Sequence, residues 1–140
     1  MPKEAVIRIG NKGRSYYMSS EENKETVSKI LEALNRQNLD VLDDLTAPGY
    51  LDHLRQLRGL ESYKQNLTMF YRSFPDSHET IEDMIAEGDR VWVRTRVTGT
   101  NTGEFHGEAP TGKKYIYTDV HNFRIANGKI VEDIMVSAHS

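Results

Sequence analysis

The chain has 140 residues, of which 37% are hydrophobic and 28% are charged, with a net charge of -3 and no cysteine. This length suits one domain with one core, and the composition is typical of a globular protein rather than a disordered one. The acidic balance offers no basic surface for nucleic acid, and the lack of cysteine excludes disulfides, thiol nucleophiles and cysteine-ligated metals.

Residues 1–18 form an N-terminal extension that precedes the first predicted helix. Two short runs with strand-like alternation, 5–9 and 14–18, flank a glycine-containing turn, which is typical of a small hairpin. We expect either a frayed terminus or a strand pair that covers a sheet edge or joins a partner. The extension lacks the apolar run of a signal peptide, and no stretch reaches the roughly 18 apolar residues of a membrane span. We therefore expect a cytoplasmic protein without a membrane partner.

Residues 19–140 form a single predicted domain that begins with helices. The predicted elements are a helix at 19–35, a short helix at 40–45, a brief strand at 50–54 and a third helix at 60–74. Ser19 and Glu22 fit a capping box at the first helix. Pro75 ends the third helix because it cannot donate the next backbone hydrogen bond. Tyr63 and Phe70 belong to an apolar and aromatic stripe along that helix.

The second half of the domain alternates in the manner of β-strands. Strands are predicted at 78–87, 90–98, 115–125 and 129–137, with an elaborate glycine-rich connection between the middle pair and an Asn-Gly turn before the last strand. Three helices followed by such strands predict an α+β fold. A long antiparallel sheet must curl, so we expect the helices to cover its concave side and enclose a conical cavity, the natural ligand site.

One face of the predicted strand 115–125 mixes ionisable and aromatic side chains. It carries Tyr115, Tyr117, Asp119, His121 and Phe123. This composition suits the wall of a cavity, where His121 and Asp119 could share a proton-handling task. In the alternative interpretation, His121 only bonds to a neighbour and Asp119 points to water at a rim.

The neighbouring strand 90–98 has two contrasting faces. One face carries Arg90, Trp92, Arg94 and Arg96, and the other carries Val91, Val93 and Val97. The arginine and tryptophan face is either a solvated outer surface with cation–π contacts or a site that orients an anionic substrate. We expect a homodimer through the sheet, formed by the valines or by the arginine and tryptophan face.

Several motifs in chain order resemble those of the SnoaL-like polyketide cyclases, or ester cyclases, a branch of the NTF2-like superfamily. They are the hairpin sequence GTNTGEFHGEAPTGK at 99–113, YLDH at 50–53, FPD at 74–76, AEGDRV at 86–91 and FRIANGKIVE at 123–132. The resemblance covers about residues 22–136. It implies an NTF2-like, cystatin-like cone with three N-terminal helices on a strongly curved antiparallel sheet. It implies no cofactor, and the histidine spacing shows no metal-binding pattern.

The resemblance also implies where the site lies. The family's pocket histidine falls on His121, whereas its general acid/base on the last strand falls on Met135, a thioether that cannot move a proton. Asp133 lies on the same strand face and could substitute. In the ketosteroid isomerase branch, the catalytic aspartate lies on a strand comparable to that of Asp52, so Asp52 is either a base or part of a surface Asp-His turn.

Two functions are compatible with these residues. In the first, the protein binds a small, largely apolar carbonyl compound and catalyses cofactor-free proton transfer, as in aldol cyclisation or isomerisation. Its catalytic candidates are His121, Asp119, Asp52 and Asp133, and its substrate-binding candidates are Tyr50, His53, Tyr63, Phe70, Trp92, Tyr117, Phe123 and Met135. In the second, the protein is a non-catalytic ligand-binding or dimerisation module that has lost the family's general acid/base.

Overall fold

The computed structural model describes residues 19–139, and the predicted hairpin at residues 1–18 lies outside this range. The helices are α1 (Ser20–Asn35), α2 (Leu42–Leu45) and α3 (Leu60–Ser73), with a 3-10 turn at Leu39–Val41. The strands are β1 (Thr46–Asp52), β2 (Leu57–Arg58), β3 (His78–Glu87), β4 (Arg90–Thr100), β5 (Lys114–Ala126) and β6 (Lys129–His139). No helix in this range has the length and apolar character needed to cross a membrane. The predicted α+β fold is confirmed.

The first helix begins as its sequence predicts. The Ser19 hydroxyl accepts a hydrogen bond from the backbone N–H of Glu22, and the Glu22 carboxylate accepts one from the backbone N–H of Ser19. This capping box satisfies two of the backbone donors that a helix start leaves unpaired. Val27, Ile30 and Leu31 then lie on one face of α1 and are buried in the core against the sheet.

The six strands form one mixed sheet in the order β2-β1-β6-β5-β4-β3. All neighbours pair antiparallel except β1 and β6, which run parallel, whereas the sequence predicts a wholly antiparallel sheet. The reason is topological. β1 reaches the sheet early in the chain and pairs with the last strand, so no tight hairpin constrains its direction. The sheet does not close on itself, and β2 and β3 are its edges.

Alternation along β4 determines which side chains reach the core. Val91, Val93 and Val97 are buried in the protein's own interior, so the predicted dimer contact through these valines is wrong. Trp92 lies on the opposite, outer face and its surface is 46% exposed. It therefore does not line the interior, and the predicted substrate-binding role of Trp92 is corrected. A homodimer through this outer face stays a prediction.

The connection between β4 and β5 is tied to the C-terminal end of α3. The Asn101 side chain donates to the Gly103 carbonyl at 2.8 Å and accepts from the Thr111 N–H at 2.8 Å. The Gly103 N–H donates to the Ser73 carbonyl at 3.2 Å. A Cβ atom at position 103 would lie 1.9 Å from the Arg72 carbonyl oxygen, so only glycine allows this approach. These contacts hold the connection against the C-terminal end of α3.

Candidate active site

Two neighbouring cavities of very different size lie beside each other within residues 19–138. The inner cavity, of about 60 Å³, lies between the helices and the sheet, and the outer cavity, of about 580 Å³, lies between α3 and the β4–β5 connection. Arg55, Asn66 and Phe70 line both. Because one water occupies roughly 30 Å³ of liquid, the inner cavity can hold a single small functional group. Side chains thus fill much of the predicted conical cavity.

His121 is held at the centre of the inner wall by two carboxylates. Its Nδ1 lies 2.7 Å from Asp133 Oδ2 and its Nε2 lies 2.8 Å from Glu79 Oε2. The ring stacks on Phe123 with centroids 4.9 Å apart. Burial alone would lower the pKa of His121, but the hydrogen bonds to Asp133 and Glu79 outweigh it and raise the pKa to about 10. At neutral pH the ring is therefore an imidazolium that donates from both nitrogens.

Glu79 is fixed from three sides. Thr95 Oγ1 donates to Glu79 Oε2 at 2.6 Å, and the Asn35 side chain pairs with both backbone groups of Glu79. Burial alone would raise the pKa of Glu79, but the hydrogen bonds from His121 and Thr95 outweigh it and lower the pKa. Glu79 is accordingly a charged partner for His121.

The two remaining acids of the cluster behave differently from Glu79. Burial raises the pKa of Asp133 despite its bond to His121, and its Oδ1 has no hydrogen-bond partner among the described residues. Burial also raises the pKa of Asp119, although a hydrogen bond from the Ser137 hydroxyl opposes the shift. Asp119 lines the inner cavity, and its side chain accepts a hydrogen bond only from Ser137 among residues 19–138. Of the three acids around His121, Asp119 is the one that does not form a hydrogen bond with its ring.

Asp52 lines neither of the two cavities, so its position does not support the first of its two interpretations, that of a base. It lies at the end of β1 and is 1% exposed. Its carboxylate accepts from the Arg55 backbone N–H at 2.9 Å and from Arg55 Nη1 at 2.7 Å. The same Nη1 lies 3.6 Å from Met135 Sδ. Burial alone would lower the pKa of Arg55, but Asp52 raises it, so the two form an ion pair in which Asp52 is buried and Arg55 is partly exposed.

Four of the predicted binding residues line the inner cavity. They are Tyr63, Phe70, Tyr117 and Phe123. Burial raises the pKa of Tyr117 to about 12, which keeps its hydroxyl protonated at neutral pH.

The other predicted binding residues lie elsewhere. Tyr50 packs behind the wall with its ring centroid 4.7 Å from that of Tyr63, and Met135 is buried beside Arg55. The His53 side chain is 46% exposed and bonds to Glu132, because His53 lies in the turn that follows β1 and not on the strand. The predicted binding role of His53 is therefore corrected.

Sequence reasoning missed Glu79 and Arg55. On β3, Met84 and Ala86 pair with inward residues of β4, and counting back by twos from them places Glu79 on the outer face. A bulge between Ile81 and Asp83 shifts this count by one residue and turns Glu79 inward. The signal for Arg55 was its position three residues after Asp52, a spacing that suits an aspartate-capped turn.

Glu79, Asp119 and His121 could also be considered as metal ligands, because one ligand atom from each lies within 4.8 Å of the others. They come from two strands, so their spacing in the sequence gives no metal pattern. With the raised pKa of His121, both of its nitrogens donate to carboxylates at neutral pH, and an imidazolium has no lone pair for a cation. The predicted absence of a metal stays a prediction.

The fold and the buried cluster define a small α+β protein of NTF2-like architecture, with ionisable groups between a helix layer and a sheet. The chain belongs to the SnoaL-like polyketide cyclase family, whose model matches residues 24–137. It is 28% identical over 113 residues to the aklanonic acid methyl ester cyclase DauD of Streptomyces sp. (strain C5), covering 76% of this chain and 70% of that protein.

Two solved structures share the fold at similar sequence identity. AclR of Streptomyces galilaeus, described as a candidate hydroxylase, is 28% identical with a TM-score of 0.76, over 86% of this chain and 81% of that chain. IdmH of Streptomyces antibioticus is also 28% identical, with a TM-score of 0.71 over 82% of this chain and 91% of that chain. These relatives share one fold but are named for different reactions, so the reaction of this protein must be inferred from its site.

Proposed function

We propose that this protein is a cofactor-free acid–base enzyme that acts on a small, largely apolar carbonyl compound, with Asp119 as the group that moves the proton. The observation that supports this assignment is the environment of Asp119. It lines the inner cavity, burial raises its pKa, and it is not bound to the His121 imidazolium. A carboxylate in such surroundings is a stronger base than one in water.

The proposed reaction is an aldol-type ring closure. Asp119 takes a proton from the carbon next to a carbonyl group, and the C–H electron pair moves onto the carbonyl oxygen to form an enolate. The enolate carbon then attacks a second carbonyl of the same molecule and forms a carbon–carbon bond. The oxygen of that second carbonyl receives the proton back from Asp119, so no other reactant is needed.

In this proposal His121 is a positioning residue rather than the base. Its two N–H groups are already used by Glu79 and Asp133. Its charge offsets the negative charge of these neighbours, which would otherwise disfavour ionisation of Asp119 nearby. This differs from the expectation that His121 itself exchanges the proton.

The cavity volumes suggest how a substrate lies. The inner cavity accommodates a carbonyl group and its neighbouring carbon, whereas the body of the substrate occupies the outer cavity against Met69, Phe70 and Phe105. Since DauD is named for aklanonic acid methyl ester, this compound is the first substrate to assay.

The assay incubates the purified protein with aklanonic acid methyl ester and separates the products by chromatography. We expect a new compound of unchanged mass, because ring closure rearranges bonds without adding or losing atoms. Heat-denatured protein is the control. Recovery of the unchanged ester, or of the same compound at the same rate with denatured protein, would contradict this substrate assignment.

A second candidate function is supported by Met135. A thioether stands where the family resemblance implies an acid, which is compatible with a binding module that no longer catalyses. Such a module predicts that the ester raises the melting temperature without being converted, since a ligand that binds only the folded state stabilises it. Turnover in the first assay would exclude it.

A further inference from the structure

We propose that Arg55 binds the carbonyl oxygen of the substrate and stabilises the negative charge that this oxygen gains as an enolate. This inference rests on the proposed function, because it concerns the other half of the same proton transfer. Arg55 lies in the turn between β1 and β2 and lines both the inner and the outer cavity. Because it borders both cavities, Arg55 can contact the reactive carbonyl end of a substrate whose body lies in the outer cavity.

The orientation of Arg55 is fixed before any ligand binds. Asp52 accepts from the Arg55 backbone N–H and from Nη1, and the Asp52 side chain is 0% exposed. The contact between Nη1 and Met135 Sδ holds the guanidinium from another side. Donors that are already oriented stabilise a developing charge without paying for their reorientation.

Arg55 also retains unused donors. A guanidinium has five N–H groups, and the hydrogen bonds of the Arg55 side chain within the described part of the chain involve Nη1 alone. Its Nε and Nη2 have no hydrogen-bond partner among residues 19–138, and 40% of the side chain is exposed. A planar guanidinium with free N–H groups is well suited to a negatively charged oxygen.

The other donors in the two cavities are less suitable for this task. His121 is charged, but both of its N–H groups are bound to carboxylates. Asn66 and Tyr63 are neutral, so they interact less strongly with an anionic oxygen than a charged donor does. Arg72 lines only the outer cavity, as does Glu104, whose negative charge opposes anion binding there. Arg55 is therefore the charged donor positioned beside the inner cavity.

The test uses 2-naphthol, whose ionised form mimics an enolate and can be distinguished from the neutral form by its absorbance. Just below the pH at which free 2-naphthol ionises, we expect the wild-type protein to bind the naphtholate in preference to the neutral form. Replacing Arg55 alone would leave Asp52 as a buried, unpaired charge. The test variant is therefore Asp52→Asn with Arg55→Gln, in which two neutral amides face each other.

We expect this double variant to bind naphtholate about 10- to 100-fold more weakly, the range for loss of hydrogen bonds from a charged donor. Arg58→Gln is the matched control, because Arg58 is an exposed arginine on the adjacent strand β2 that lines neither cavity. It should bind like the wild type. Arg55→Lys provides a second variant if the double variant is poorly folded, and it should also weaken naphtholate binding, since its single ammonium stays paired with Asp52.

The outcomes separate this inference from the proposed function. Arg55-dependent naphtholate binding in a protein that leaves the ester unchanged would support the oxygen-binding role and contradict the assignment of this ester as the substrate. Equal binding of naphtholate by the wild type and the folded variants would overturn the role of Arg55, even if turnover is observed. Failure of the wild type to favour the ionised probe would overturn it as well.

Discussion

Replacing Asp119 by asparagine should lower kcat by about 10²- to 10⁴-fold, the range expected for loss of a positioned acid or base. Asparagine keeps the size of the side chain and an oxygen that can accept from Ser137, but it cannot take up a proton. The affinity for substrate should change little, because the cavities keep their shape. The measurement is kcat and KM for the ester, together with the melting temperature as a check of the fold.

The matched control for this substitution is Asp83→Asn. Asp83 is an exposed aspartate on β3, where its backbone lies opposite that of the exposed Arg94 on β4. Its replacement should leave kcat unchanged. An Asp119→Asn variant that keeps more than about a tenth of the wild-type kcat would be incompatible with Asp119 as the proton carrier.

The pH dependence of kcat/KM tests whether Asp119 acts as the base. Asp119 must be deprotonated to act as a base, so the rate should rise with pH as it loses its proton. Because burial raises its pKa above the ordinary value of 3.8, the rise should lie at higher pH than for an exposed aspartate. This rise should disappear in Asp119→Asn.

Replacing His121 by phenylalanine should have the largest effect on stability. The substitution removes the cation between Glu79 and Asp133 and leaves a buried and a partly buried carboxylate facing a neutral ring. Breaking a buried ion pair from one side costs about 3–5 kcal/mol, part of which is recovered if the carboxylates take up protons. Urea unfolding at neutral pH measures this loss. His78→Phe, at an exposed position on β3, is the control and should change stability little.

The wild-type protein should also lose stability as the pH rises. On folding, Asp133 and Glu79 raise the pKa of His121 from the ordinary value of 6.5 to about 10 against the opposing effect of burial, so folding favours the protonated ring. This contribution is complete below pH 6.5 and is lost as the pH rises through 10. The free energy of unfolding should therefore fall between about pH 7 and 9, and His121→Phe should show a smaller fall. An equal fall in both proteins would contradict the charged state of His121.

The sequence predicts the helices and strands well because their signals are local. The Ser19 capping box and the alternation of Tyr117, Asp119 and His121 each depend on residues a few positions apart, and the structure has both. Alternation also correctly separates the inward valines of β4 from Trp92 on its outer face. A strand's two faces can thus be assigned from sequence, but which face meets the ligand cannot.

The chemistry of the site was harder to predict because it depends on long-range pairing. Glu79 reaches His121 only because the bulge on β3 reverses its direction, and the two are 42 positions apart in the chain. The same holds for Asp52, whose role changes from candidate base to partner of Arg55 once the turn is known. The small volume of the inner cavity is a property of packing, which periodicity does not encode.

The most direct test of this account is the protonation state of His121, followed by nitrogen-15 NMR as a function of pH. His121→Phe identifies the signals of this ring among those of the other histidines. The account predicts that both nitrogens of His121 remain protonated at pH 8 and lose the charge only near pH 10. A ring that titrates near 6.5, with one nitrogen unprotonated at pH 8, would contradict it.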